Sequence, residues 1–116
     1  MEEVKLAALR ELEEDEVGLW LLCRWVREKL RTEDPVAVSR LTLQVVRELL
    51  ETGGVVAGYY GSLGSGVPPG YITPWPGSVE DILDRIDREW AALGREPNIG
   101  EIVIFHTKDS WLVRPS

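Results

Sequence analysis

The hydrophobic residues of this chain follow helical spacing in four segments. In the strongest of these segments, apolar residues recur three and four positions apart, which places them on one face of a helix. A serine suited to the N-cap precedes that segment, and a glycine suited to a left-handed C-terminal position follows it. The spacing predicts helices over residues 2–12, 17–31, 35–52 and 79–93.

Three shorter segments have the composition of β-strands. Val55–Tyr60 is largely apolar, and Tyr71–Thr73 is followed by prolines that end a strand. Between them, residues 61–70 are rich in glycine, serine and proline, which do not support regular structure. We therefore predict an antiparallel hairpin with a long tip. Ile102–Phe105 is apolar on both faces, which indicates an interior strand.

The order of these elements predicts a single α+β domain of 116 residues. Within it, residues 17–75 run helix, helix, hairpin, and this order resembles the winged-helix fold. The acidic segment 1–16 precedes this part, and an amphipathic helix, a third strand and a tail follow it in residues 76–116. A winged helix normally has a separate short helix before its recognition helix, and only residues 32–38 are available for it here.

The chain also resembles a family of small, uncharacterised bacterial proteins in a series of short motifs. The motifs in this sequence are Trp75-Pro76-Gly77, Arg88-Glu89-Trp90, Leu93-Gly94-Arg95 and Pro97-Asn98-Ile99-Gly100-Glu101-Ile102. No activity is attached to this pattern, so the resemblance implies a bacterial source and no particular chemistry.

Charge is distributed unevenly along the chain, whose formal net charge is −7. Residues 2–16 hold seven acids and two bases, whereas no charged residue occurs from Thr52 to Val79. The N-terminus lacks a signal-peptide pattern, and no apolar run approaches the ~20 residues of a membrane span. With Cys23 as the single cysteine, we expect a cytoplasmic protein without disulfides or a membrane partner.

The uncharged segment carries the aromatic residues that we predict to form a protein-interaction surface. Aromatic enrichment with charge depletion is typical of interface centres. The alternative is that most of these rings pack in the core. Strand alternation predicts that one of Tyr59 and Tyr60 faces inward and the other outward. The candidate interaction residues are Tyr59, Tyr60, Leu63, Tyr71 and Trp75.

The partner of this surface would be another protein or a second copy of the chain. Acidic helices on either side of the segment would favour a basic partner by electrostatic steering. An immunity protein that binds a toxin would fit this description, as would a self-associating protein. The sequence does not choose between them.

The alternative function is a winged-helix transcriptional regulator that reads DNA with its third helix. That helix offers Arg40, Gln44 and Arg47, residue types that contact base edges. However, Glu48 and Glu51 lie on the same helix, and the segment that would form the wing has no lysine or arginine. Because cations supply much of the affinity for phosphates, nucleic acid is the less expected partner.

No motif in the sequence indicates an enzyme. His106, the only histidine, has no serine or cysteine motif beside it that would indicate catalysis. It follows a predicted strand, and we expect a histidine at a strand end to lie at the surface. Cys23 lies on an apolar helix stripe and is expected to be a small core residue. Residues 61–66 lack the lysine of a phosphate loop, and one histidine with one cysteine does not make a zinc site. We predict no catalytic residues, no cofactor and no metal.

Overall fold

The computed structural model describes residues 2–61, 71–110 and 113, and within them it confirms the α+β class. Helices and strands follow one another along the whole described chain. Their bounds are α1 Glu2–Leu12, β1 Val17–Gly18, α2 Leu19–Leu30, α3 Pro35–Glu51, β2 Val55–Tyr60, β3 Ile72–Pro74, α4 Val79–Leu93 and β4 Ile104–Thr107.

The strands form one antiparallel sheet in the order β1-β4-β2-β3. β2 and β3 make the predicted hairpin, with Tyr59 opposite Thr73. The apolar run near the C-terminus is an interior strand, as predicted, because β4 lies between β1 and β2. It begins at Ile104 and not at Ile102, because Ile102 has φ 69°, which is incompatible with an extended strand.

β1 was not predicted, because its two residues were assigned to the start of the following helix. Val17 pairs with Phe105 and Gly18 with Ile104, and α2 begins only at Leu19. An apolar residue at position 17 satisfies either structure locally. Val17 forms a strand because β4, near the other end of the chain, pairs with it, and local spacing does not reveal that pairing.

The predicted helix ends of α3 and α4 are confirmed by their capping contacts. The Asp34 side chain accepts a hydrogen bond from the Val36 amide, and Pro35 occupies the first helical position. Ser78 and Asp81 form a complete capping box at the start of α4. Gly94 ends α4 with φ 73°, a conformation that glycine adopts without steric cost.

The helices pack on one face of the sheet, and that face carries the main core. Val55 and Ala57 of β2 and Phe105 of β4 point toward the helices and are buried with residues from all four of them. Because side chains alternate along a strand, Ile104 and Ile72 lie on the opposite face, where they are also buried. Both faces of the central strands are therefore apolar, which accounts for the unbroken run of hydrophobic residues before His106.

The order of elements within residues 17–75 agrees with the winged-helix resemblance, but two details differ from it. Residues 32–34 are not helical, so no separate short helix precedes α3. In addition, β4, from outside residues 17–75, occupies the middle of the sheet. The winged-helix likeness stays a prediction about element order. In the described part of the chain, no helix has both the length and the apolarity needed to cross a membrane.

Candidate functional site

Tyr59 and Tyr60 form an exposed aromatic pair at the end of β2. Their side chains are 41% and 37% exposed, and their ring centroids lie 5.5 Å apart in an edge-to-face arrangement. The prediction that one of them faces inward was wrong. Ala57 and Gly58 are buried, whereas the two tyrosines that follow them extend to the surface at the end of the strand.

Hydrogen bonds hold both phenols in place. The Tyr59 hydroxyl donates to the carbonyl oxygen of Gly100 at 2.5 Å. The Tyr60 hydroxyl contacts both carboxylate oxygens of Glu16, at 2.5 and 2.7 Å. The rings are thus fixed before any partner arrives, which lowers the conformational entropy lost on binding.

The Tyr60–Glu16 contact gives a prediction about pH. Partial desolvation, followed by the hydrogen bond to Glu16 and the charge of its carboxylate, raises the pKa of Tyr60 well above its usual value. The stabilisation from this contact is therefore complete below about pH 10 and is lost as the pH rises through the higher pKa of the folded state. Replacing Glu16→Gln should lower the pKa of Tyr60, because no carboxylate then opposes the phenolate charge.

A spectroscopic titration of tyrosinate absorbance measures this shift. The Tyr60→Phe variant serves as the control, because subtracting its curve isolates the signal of Tyr60. Identical curves for the wild type and Glu16→Gln would contradict the contact.

The other three predicted interaction residues differ from this pair. Trp75 is partly buried against the main core, and the Arg85 guanidinium lies 3.7 Å from its ring centroid. Its amide also donates to the carbonyl of Ala57 at 2.8 Å, so Trp75 ties the end of the hairpin to α4. Tyr71 is half-buried before β3. Leu63 lies outside the described residues.

A shallow cleft of about 490 Å³ adjoins Tyr59, and sequence analysis did not find it. Its apolar lining consists of Tyr59, Ala92, Leu93 and Ile102, and the carboxylates of Glu89 and Glu101 lie beside them. Ile99, in the turn next to the cleft, is 76% exposed. The motif Pro97–Ile102 contains Glu101 and Ile102 of this lining, but the motif has no periodicity that would predict a cleft.

The three residues of the predicted nucleic-acid face do come together on α3. Arg40 and Gln44 are exposed, and Arg47 makes a two-point contact with Glu80 of α4. The groove between the two helices is also lined by Asp84 and Asp87. A phosphate backbone approaching this face would meet carboxylates from α4, an arrangement that does not favour binding to DNA.

The expectation that His106 lies at the surface was wrong, since it is only 5% exposed. β4 extends one residue beyond it, and His106 pairs with Val56 inside the sheet. Burial lowers the pKa of His106, and the charges of Glu16 and Asp15 oppose that effect. The neutral imidazole is therefore favoured.

Cys23 is buried as predicted, and desolvation raises the pKa of its thiol to about 12. Because the thiolate is the nucleophilic form of cysteine, a thiol that stays protonated does not act as a nucleophile. Among the described residues, no group of three or more His, Cys, Asp or Glu side chains is placed to hold a metal ion.

The candidate site thus consists of the Tyr59–Tyr60 pair and the cleft beside Tyr59. The resemblance to small bacterial proteins through the motifs around Trp75 and Ile99 stays a prediction. Comparison of the chain with protein-family models, with curated proteins and with solved structures finds no match.

Proposed function

We propose that this protein is a non-enzymatic protein-binding module whose contact surface is centred on Tyr59 and Tyr60. One observation carries the proposal: two adjacent, anchored aromatic rings are exposed at the end of a strand within an uncharged segment. Tyrosine combines a large apolar area with a polar tip, which suits it to interfaces. Rings already fixed by hydrogen bonds can contact a partner with little further ordering.

The surroundings of the pair bear on the kind of partner. The exposed residues Glu13, Glu14 and Asp15 lead directly into Glu16, which holds Tyr60. These acids would steer a basic protein toward the Tyr60 side of the surface. On the Tyr59 side, the carboxylates of Glu89 and Glu101 are already paired with arginines of the same chain. The two sides therefore suit different partners.

Affinity capture tests the proposal. The immobilised wild-type chain is exposed to a nuclease-treated lysate of the source cells and to free chain, in parallel with a Tyr60→Ser variant. We expect the wild type to retain a protein that Tyr60→Ser binds at least about 30-fold more weakly, because truncating a central aromatic residue removes a hot spot.

A matched control is Leu6→Ser, which alters an exposed apolar residue on α1 and should leave capture unchanged. Thermal melts of all three proteins verify that they are folded. Equal capture of lysate proteins by the wild type and Tyr60→Ser, or a wild type that retains no lysate protein, would contradict the proposal. Retention of nucleic acid alone in an untreated lysate, lost on Arg40→Ala, would support the DNA-binding alternative.

A further inference from the structure

The turn that carries Ile99 is braced by several contacts. The Arg95 guanidinium lies 2.6 and 2.9 Å from the two carboxylate oxygens of Glu101. The same carboxylate accepts a hydrogen bond from the backbone amide of Asn98 at 2.7 Å. The backbone amide of Glu101 donates in turn to the backbone carbonyl of Asn98 at 3.1 Å. The Tyr59 hydroxyl holds the carbonyl of Gly100. A rigid turn thus presents an isoleucine that is 76% exposed.

The backbone at the end of this turn is strained. Ile102 has φ 69°, in the left-handed region that β-branched residues rarely adopt. Such a conformation persists only where its surroundings impose it, and it occurs preferentially at functional sites. The Val103 backbone amide donates to the Glu101 carbonyl at 2.9 Å and closes a tight turn around Ile102.

The cleft and the exposed isoleucine are neighbours on one surface. Tyr59 lines the cleft and also bonds Gly100, which directly follows Ile99. Ile102 lines the same cleft three residues after Ile99. The exposed Ile99 side chain therefore lies beside the cleft. A two-fold axis between them would place Ile99 of each copy against the cleft of the other copy.

Charge favours a second copy at this position. The three carboxylates around the turn and the cleft each contact an arginine: Glu89 contacts Arg85, Glu96 contacts Arg27 and Glu101 contacts Arg95. The charges cancel within each of these three pairs, although the chain as a whole carries a formal net charge of −7. A second copy would thus meet little like-charge repulsion here, and a basic partner would find no unpaired carboxylate among these three.

We propose that two copies of the chain associate through this surface, with Ile99 of each copy seated in the cleft lined by Tyr59, Leu93 and Ile102 of the other. The contact is isologous, so both copies use the same residues. This inference rests on the proposed function, because Tyr59 belongs to both surfaces. It names a second copy of the chain as one partner and leaves the Tyr60 side of the surface free to bind a different protein.

Sedimentation velocity at low and high micromolar protein tests the inference. The wild type should sediment as a monomer at the lower concentration and as a dimer at the higher one. Ile99→Asp should weaken the dimer at least about 30-fold, because a carboxylate would be buried in an apolar cleft. Leu6→Asp, which places the same charge on another exposed apolar position, should behave as the wild type.

A wild type that is monomeric at both concentrations, or an Ile99→Asp variant that dimerises as the wild type does, would overturn the inference. Neither result would decide the proposed function. A monomer that still captures a different protein, and loses it on Tyr60→Ser, would retain the proposed function without self-association. Thermal melts verify that Ile99→Asp is folded.

Discussion

Replacing Gly58→Ala is expected to destabilise the fold by about 3 kcal/mol. A Cβ at position 58 would lie 2.2 Å from the Thr73 carbonyl oxygen and 2.9 Å from Cγ2 of Ile72. The oxygen belongs to the neighbouring strand, so it cannot move away without disturbing the pairing of β2 with β3. Urea denaturation of the variant and the wild type measures the loss.

Gly54→Ala is the matched control. Its Cβ would have no neighbour closer than 4.0 Å, and its φ lies outside the left-handed region. We expect a change within about 1 kcal/mol, which includes the entropy removed from the unfolded chain. Similar losses for both variants would contradict the close approach of β2 and β3 that positions Tyr59 and Tyr60.

Phe105→Ala should cost about 3–5 kcal/mol of unfolding free energy, the usual range for removing a buried phenyl ring. Phe105 is fully buried on β4, between Val17 of β1 and Ala57 of β2. Removing the ring would therefore leave a cavity between the sheet and the helices. Denaturant unfolding monitored by circular dichroism gives the difference.

Ile99→Ala provides the comparison for this second prediction. Ile99 is largely exposed, so its truncation should change the stability of the monomer by no more than about 0.5 kcal/mol. A small loss at Phe105, comparable with that at Ile99, would show that β4 is not the centre of the core.

Features of the fold that depend on neighbouring residues could be predicted from the sequence. Asp34 and Ser78 cap their helices through amides two and three residues away, and Gly94 ends α4 through its own backbone conformation. The β2–β3 hairpin followed from two short apolar runs around residues 61–70. These interactions operate within a few positions, so composition and spacing reveal them.

Features that depend on distant residues could not be predicted. Val17 forms a strand because Phe105 is available as its partner. His106 is buried because β4 lies between β1 and β2 and continues one residue beyond it. The strand order places β4 in the middle of the sheet, and nothing in the local sequence of β4 specifies those neighbours. Burial of a residue at a strand end is therefore decided by topology.

The candidate site was only partly predictable for the same reason. The lack of charged residues around Tyr59 and Tyr60 predicted a protein-interaction surface, and both rings are exposed. Trp75 belongs to the same uncharged segment, but α4 covers it with Arg85, a contact that the sequence does not show. Ile99 was overlooked because one aliphatic residue in a turn has no periodicity, and its bracing depends on Tyr59.

Hydrogen–deuterium exchange tests most directly the central claim, that the Tyr59–Tyr60 end of β2 is a binding surface. Exchange is compared between the free chain and the chain bound to the protein that it retains. We predict slower exchange at residues 59–61 and 98–102 in the bound state and no change on α3. Slowing confined to residues 36–47, with the end of β2 unaffected, would contradict the account.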